Sequence, residues 1–292
     1  MRRLLSAVLA LLPGVASAQA LDLPAEEVVR FLSQGQEVVA TFARPDGPPA
    51  PVVLLLHGFT GSRDEAEVPA TGEGIFERTA AALASAGYSS LRIDFRGSGE
   101  SVADLSYAET TFESQVADGL AALDWLAAEP RVGTEVHVLG WSMGGAVATA
   151  VAGRYGGGSR LVLWNALARP EATMRGLLGD AMFEAGLAAG PDEPVGAGNP
   201  HGGGVTLNGA FFDSAVAYDP LAEIAAFPGP VLIVQGTRDA IVPPASADAL
   251  AEAHAGEDRV VRLDMDHAFD VGRGPATLDA MLDETVRFLS GD

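Results

Sequence analysis

The sequence predicts an α/β fold, a mostly parallel, doubly wound sheet with helices on both faces, and three observations point there. Short continuous apolar runs ending at glycine, such as "PVVLLLHG" at 51–58 and "PVLIVQGT" at 230–237, have the length and β-branched content of buried strands. Segments with apolar residues at helical spacing alternate with these runs, as parallel strands joined by crossover helices require. The chain has 292 residues, 48% of them hydrophobic, which suits one large core and one site rather than two complete domains.

Taken in order, "QEVVATFARP" (36–45) reads as a strand and is followed by the buried run at 51–58. "IFERTAAALASAG" (75–87) is a helix stopped by Gly87, where a C-terminal cap belongs. The strand "SSLRIDF" (89–95) runs into the turn "RGSGES", and a helix spans 112–128. Strand "EVHVLGW" (135–141), helix 143–154 and strand "RLVLWNAL" (160–167) complete the first half. The alternation resumes with strand 230–237, helix 245–255, strand 259–264 and a closing helix over 276–289. Between the halves, 168–229 breaks the rhythm, and an insertion of this size in a compact sheet is expected to be a lid or cap. It contains the glycine-rich "GAGNPHGGG" (196–204) and "VTLNGAFFD" (205–213), read as a short strand or hairpin exposing Phe211 and Phe212.

Residues 1–20 have two arginines, an apolar stretch from Leu4 to Val15, and small residues at Ala16, Ala18 and Ala20, the pattern of a secretory signal peptide. A membrane anchor would want about 20 apolar residues, and this stretch is shorter and broken by Pro13. The mature chain, 21–292, is therefore expected to be exported to the periplasm or the medium without membrane insertion. Its formal net charge of -21 repels phosphate backbones and anionic lipid, so nucleic acid is not an expected partner. No cysteine is present, which removes disulfides and thiolate chemistry. The five histidines form no close pair at metal-ligand spacing, and neither a metal nor an organic cofactor is expected. Nothing in the sequence speaks to oligomeric state.

Gly140-Trp141-Ser142-Met143-Gly144 fits G-x-S-x-G and sits between a strand and a helix, where a nucleophile elbow must. The motif is short enough to arise by chance, so context must carry it. A serine hydroxyl is a poor nucleophile until a base takes its proton, and the base needs a carboxylate to orient it. On this architecture the chain order is Ser, then Asp or Glu, then His. Asp239 follows the strand at 230–237, and His267 follows the next strand, so all three fall at one edge of one sheet. His254 lies in a predicted helix, His137 in a strand, His57 at an early strand end and His201 in the glycine-rich insert. Asp264 and Asp266 read as loop carboxylates, and Asp219, before Pro220, as a turn residue or helix cap. Acyl transfer also needs donors for an oxyanion; the amide of Met143 and that of Phe59, in "HGFTG" (57–61), are the candidates. Trp141 and Met143 either line an acyl pocket or belong to the core.

The set "HGFTG", "DFRGSGES", "GWSMGG", "GTRDAIVP" and "DHAF", spread over about 36–290, resembles the α/β-hydrolase superfamily. "HGFTGSRDE", "VTLNGAFFDSAVAYDPL" and "GPVLIVQGTRD" are similar to segments of bacterial feruloyl (cinnamoyl) esterases and related carboxylesterases, although Trp141 stands where such relatives often carry His. The resemblance implies an α/β-hydrolase fold with an inserted lid or cap, a catalytic set of Ser142, Asp239 and His267, and an oxyanion hole of Phe59 and Met143. It implies a serine carboxylesterase acting on a small-molecule or polymer-linked ester, with Trp141, Phe211 and Phe212 as substrate-binding candidates. "DFRGSGES" is then a structural turn. Two alternatives stand beside this expectation: a serine peptidase, because "GWSMGG" also resembles the elbow of prolyl-oligopeptidase-type domains, and a noncatalytic binding module on the same fold.

Overall fold

The computed structural model describes residues 24–198 and 204–292; the proposed leader and His201 lie outside them. The described chain begins with a hairpin whose first strand has no counterpart among the expected elements: β1 (Ala25–Ser33) pairs antiparallel with β2 (Gln36–Arg44) through a tight turn at Gln34-Gly35, both at positive φ. β3 (Ala50–Leu56) follows, then a small antiparallel pair, β4 (Glu67–Val68) with β5 (Glu73–Gly74). Next come α1 (Ile75–Ser85), β6 (Ser89–Ile93), α2 (Phe112–Ala128), β7 (Val132–Trp141), α3 (Met143–Tyr155) and β8 (Leu161–Trp164).

The stretch 168–229 holds α4 (Pro170–Leu178), α5 (Asp180–Ala188), the antiparallel ribbon of β9 (Pro194–Gly198) and β10 (Gly204–Asn208), α6 (Gly209–Ala217) and α7 (Pro220–Ala225). The chain closes with β11 (Val231–Gly236), α8 (Ala245–Ala253), β12 (Asp258–Leu263) and α9 (Ala276–Ser290).

Eight strands form one sheet in the order β1-β2-β6-β3-β7-β8-β11-β12. The β1/β2 and β2/β6 pairs are antiparallel and every other neighbour is parallel, so β3, β7, β8, β11 and β12 all end at the same edge. The period of two along β3 sorts its side chains onto the two faces. Val52, Leu54 and Leu56 join the core under α2, α3 and α8, whereas Val53 and Leu55 join the one under α1 and α9. Each such side chain, fully buried, stabilises the fold by roughly 1.5–3 kcal/mol.

Two expectations about 160–213 are corrected. β8 ends at Trp164, short of 167, because Asn165 takes a left-handed φ of 43°. "VTLNGAFFD" is half strand and half helix: β10 ends at Asn208, and Phe211 and Phe212 lie in α6 with 0% of their surface exposed. Phe212 packs edge-on to Phe183 of α5, and Gly186 lies so close that a Cβ there would fall 2.1 Å from the Phe212 ring. The aromatic pair therefore anchors the insertion to the core. The Tyr218 hydroxyl ties the same segment to α3 by donating to the Ala146 carbonyl at 2.9 Å.

Candidate active site

Ser142 sits between β7 and α3 at φ 57° and ψ -120°, a conformation that costs a side-chain-bearing residue free energy and that surrounding contacts must impose. Its amide donates to the Trp164 carbonyl at 2.9 Å, and its carbonyl accepts from Leu167 at 3.2 Å. The flanking glycines leave no room for side chains. A Cβ on Gly140 would stand 2.2 Å from the Gly144 carbonyl oxygen, and one on Gly144 would stand 2.2 Å from the Leu56 carbonyl oxygen.

His267, in the loop after β12, brings Nε2 to 3.0 Å from Ser142 Oγ and Nδ1 to 2.7 Å from Asp239 Oδ2. A carboxylate only accepts, so Nδ1 carries the proton and Nε2 is left to accept from the serine hydroxyl. Asp239, after β11, is held by two amides that donate to its other oxygen, Ile241 at 2.9 Å and Val242 at 2.8 Å. The carbonyl of His267 is clamped by the Trp141 indole N–H at 3.2 Å and the Asn165 side-chain amide at 2.9 Å. Asn165 Oδ1 in turn accepts from the Gly236 amide at 2.7 Å, tying the ends of β8, β11 and β12 together. Asp266 Oδ1 accepts from the amides of Ala268 and Asp270, Arg238 pairs with Asp264 and Asp270, and these bonds latch the loop that carries His267.

The other described histidines do not meet the serine. His57 is buried, donates from Nδ1 to the Gly58 carbonyl at 2.9 Å and accepts at Nε2 from the Phe95 amide, and burial pushes its pKa down to about 4. His137 is likewise buried and lowered to about 4, while His254 pairs with Asp258. Among the described residues no group of three His, Asp or Glu is placed to hold a metal, and no helix is long and apolar enough to cross a membrane.

Met143 follows Ser142 in the first turn of α3, Phe59 lines the same cavity as Ser142 from the loop after β3, and neither amide donates a hydrogen bond to a described residue. A cavity of about 180 Å³ opens here, lined by Gly58, Phe59, Glu65, Trp141, Ser142 and His267 among others. Trp141 thus lines the cavity, whereas Phe211 and Phe212 do not, though Phe211 supports Phe59 from behind with ring centroids 5.8 Å apart.

Two residues of the site were not among the sequence candidates, although one of them, Glu65, closes the segment "HGFTGSRDE". Asn165 is the clamp just described. Glu65, at φ 62°, accepts from the Gly58 amide and lines the cavity; burial raises its carboxyl to about 8 even though the Gly58 and Ala66 amides favour the ionised form. Its loop is fastened by Arg63, which pairs with Asp94 of "DFRGSGES" and with Glu100, while Arg96 of that turn binds Asp118 at 2.5 Å. Apart from Gln34 in the first hairpin, every non-glycine residue with positive φ among the described residues lies in the loops after β3, β7, β8 and β12: Thr60, Glu65, Ser142, Asn165, Phe269 and Asp270. Backbone strain is gathered at this edge of the sheet.

No curated protein matches the chain. Among solved structures, Est1E from Butyrivibrio proteoclasticus with ferulic acid bound is 20% identical at TM-score 0.68, over 87% of this chain and 98% of that one. Dienelactone hydrolase from Anabaena variabilis is 19% identical at TM-score 0.64, over 92% and 99%. The acylaminoacyl peptidase of Pyrococcus horikoshii is 17% identical at TM-score 0.68, over 92% of this chain but 42% of the peptidase. These likenesses establish the fold. The sequence pattern of the alpha/beta hydrolase family matches residues 53–280, most of the chain, and the protein belongs to that family.

Proposed function

We propose that this hydrolase is a serine carboxylesterase, and the observation that carries the reading is the unbroken hydrogen-bonded series from Ser142 Oγ through His267 to Asp239. Ser142 Oγ attacks the ester carbonyl carbon while His267 Nε2 takes the hydroxyl proton. The carbonyl oxygen becomes an oxyanion facing the unbonded amides of Phe59 and Met143, and losing one such donor typically costs about 3–4 kcal/mol of transition-state stabilisation. As the tetrahedral adduct collapses, the proton on Nε2 passes to the leaving alkoxide and an acyl-serine remains. Water then gives a proton to Nε2 and its oxygen to the acyl carbon, releasing the acid and returning the proton to Ser142. Asp239 keeps the imidazole in the tautomer these steps need and stabilises the imidazolium.

The segment 168–229 is the cap in this reading, and the leader at 1–20 supports action outside the cytoplasm. The likeness to Est1E, together with the similar segments "HGFTGSRDE" and "VTLNGAFFD", favours aromatic or other bulky acyl groups. The likeness to the acylaminoacyl peptidase favours amide cleavage as the second reading, but this chain covers less than half of that enzyme. Purified residues 21–292, offered p-nitrophenyl esters of rising chain length, methyl ferulate and an aminoacyl p-nitroanilide, separate the two. Ester turnover with a silent anilide is expected. Ser142→Ala is expected to lower ester turnover by roughly 10⁴-fold or more with an unchanged circular dichroism spectrum. Substantial residual turnover removes Ser142 from its role.

A further inference from the structure

A second cavity, about 380 Å³, lies beside the one at Ser142 and shares Leu177 and Ile241 with it as walls. Its volume falls within the range of small-molecule pockets, about 300–1,000 Å³. It lies between α4 and the first turn of α8, and most of its surface is aliphatic, from residues such as Ala172, Leu177, Ile241 and Pro243. Its polar lining residues are Thr173, Ser246 and Arg169, the last exposed to solvent at the rim. Both hydroxyls belong to buried residues, and neither has a hydrogen-bond partner among the described side chains and backbone.

Arg169 differs from most arginines of this acidic chain. Arg63, Arg78, Arg92, Arg96, Arg154 and Arg175 each hold carboxylates, and Arg160 lies over the Phe288 ring. Arg169 makes no ion pair, side-chain hydrogen bond or ring contact with a described residue. Two acids that line a neighbouring cleft with it are engaged elsewhere: Glu171 holds Arg175 at 2.9 Å, and Asp219 caps α7 by accepting from the Leu221 and Ala222 amides. A guanidinium is a rigid fork of donors that matches a carboxylate in two parallel bonds. In a molecule of net charge -21, a guanidinium without an ion pair on the wall of a cavity that adjoins the one at Ser142 offers an anion a partner against a repulsive background.

We infer that the preferred substrate is an ester whose larger, apolar group ends in a carboxylate, with the apolar body in the cavity between α4 and α8 and the carboxylate on Arg169. The inference rests on the esterase reading and names the substrate class of that same site. The carboxylate belongs either to the acid or to the alcohol half of the ester, and two matched pairs distinguish these: monomethyl adipate against methyl hexanoate, and an ω-acetoxyalkanoate against the alkyl acetate of the same length. p-Nitrophenyl acetate reports whether the enzyme hydrolyses esters at all.

In one of the two pairs the charged ester is expected to have the lower KM. Arg169→Gln is expected to cut the charged-to-neutral ratio of kcat/KM roughly tenfold, mainly through KM, and Arg169→Lys to keep part of it. Ala172→Phe, which fills the cavity, is expected to slow both long esters relative to the acetate. Circular dichroism checks that each variant is folded. Hydrolysis of the acetate with no preference for charge, or with a preference that survives Arg169→Gln, overturns the inference alone. Silence on every ester overturns the esterase reading and the inference with it.

Discussion

Burial holds the Glu65 carboxyl protonated up to about pH 8, in the cavity where Ser142 and His267 also stand. The native state keeps this proton above pH 4.5, where an unfolded glutamate would release it. The stabilisation is therefore complete below about 4.5 and lost as pH rises through about 8, and it amounts to a few kcal/mol at most. Urea unfolding of the wild type and of Glu65→Gln, repeated across that window, should show the wild type losing stability with rising pH relative to the variant. The same ionisation puts a negative charge beside the developing oxyanion, in a cavity whose other polar groups include Thr60 and His267, and close enough to the Tyr107 hydroxyl to disfavour its ionisation. Ester turnover should fall above about pH 8 in the wild type and stay level in Glu65→Gln. Asn165→Ala strips a buried amide, Gly236 N–H, of its acceptor and leaves the His267 carbonyl held by the Trp141 indole alone. A loss of about 1–3 kcal/mol in denaturant unfolding is expected, with a fall in kcat larger than any change in KM. Ser142, Asp239 and His267 were legible in the sequence because each follows a recognisable strand. Glu65 stood inside "HGFTGSRDE" without its role showing, because that role depends on burial against Ser142's cavity, and Asn165 gave no signal at all, because it meets Gly236 from 71 residues away.

At the scale of elements, α3 presses directly on the end of β3. Gly144 is the contact, and Gly144→Ala must push the helix off the Leu56 and His57 carbonyls. The expected cost is about 1–3 kcal/mol in urea unfolding, together with displacement of Ser142 and loss of turnover. Gly176, inside α4, has open space where a Cβ would stand, and Gly176→Ala should stabilise by about 0.5–1 kcal/mol in the same measurement. The contrast separates a glycine required by packing from one that is not. Elements buried on both faces, such as β3, β7 and β11, were readable as apolar runs with their neighbours. β1 was not, because as an edge strand it exposes Val28 and Leu32 and carries Glu26, Glu27 and Arg30 alongside them, a pattern without a clean apolar face. In 168–229 the helices are short and the ribbon of β9 and β10 is glycine-rich, so periodicity had too few turns to register, and burial of Phe211 and Phe212 depended on where α5 and α6 docked.

For the molecule as a whole, a charge of -21 means that like charges repel across the folded surface more than its exposed ion pairs, such as Arg154 with Glu113, can offset. Added sodium chloride, up to about 0.5 M, should therefore raise Tm in a thermal melt, with a Debye length falling below about 5 Å as the cause. A Tm that drops instead would mean that the ion pairs outweigh the repulsion. The reacting groups have no local home: the serine, the carboxylate, the imidazole and the clamp come from the ends of β7, β11, β12 and β8, and Phe59 from β3. On the proposed function, turnover is consequently a sensor of cooperative assembly. Until β3, β7, β8, β11 and β12 have paired, Ser142, His267 and Asp239 stand apart and the proposed chemistry has no site.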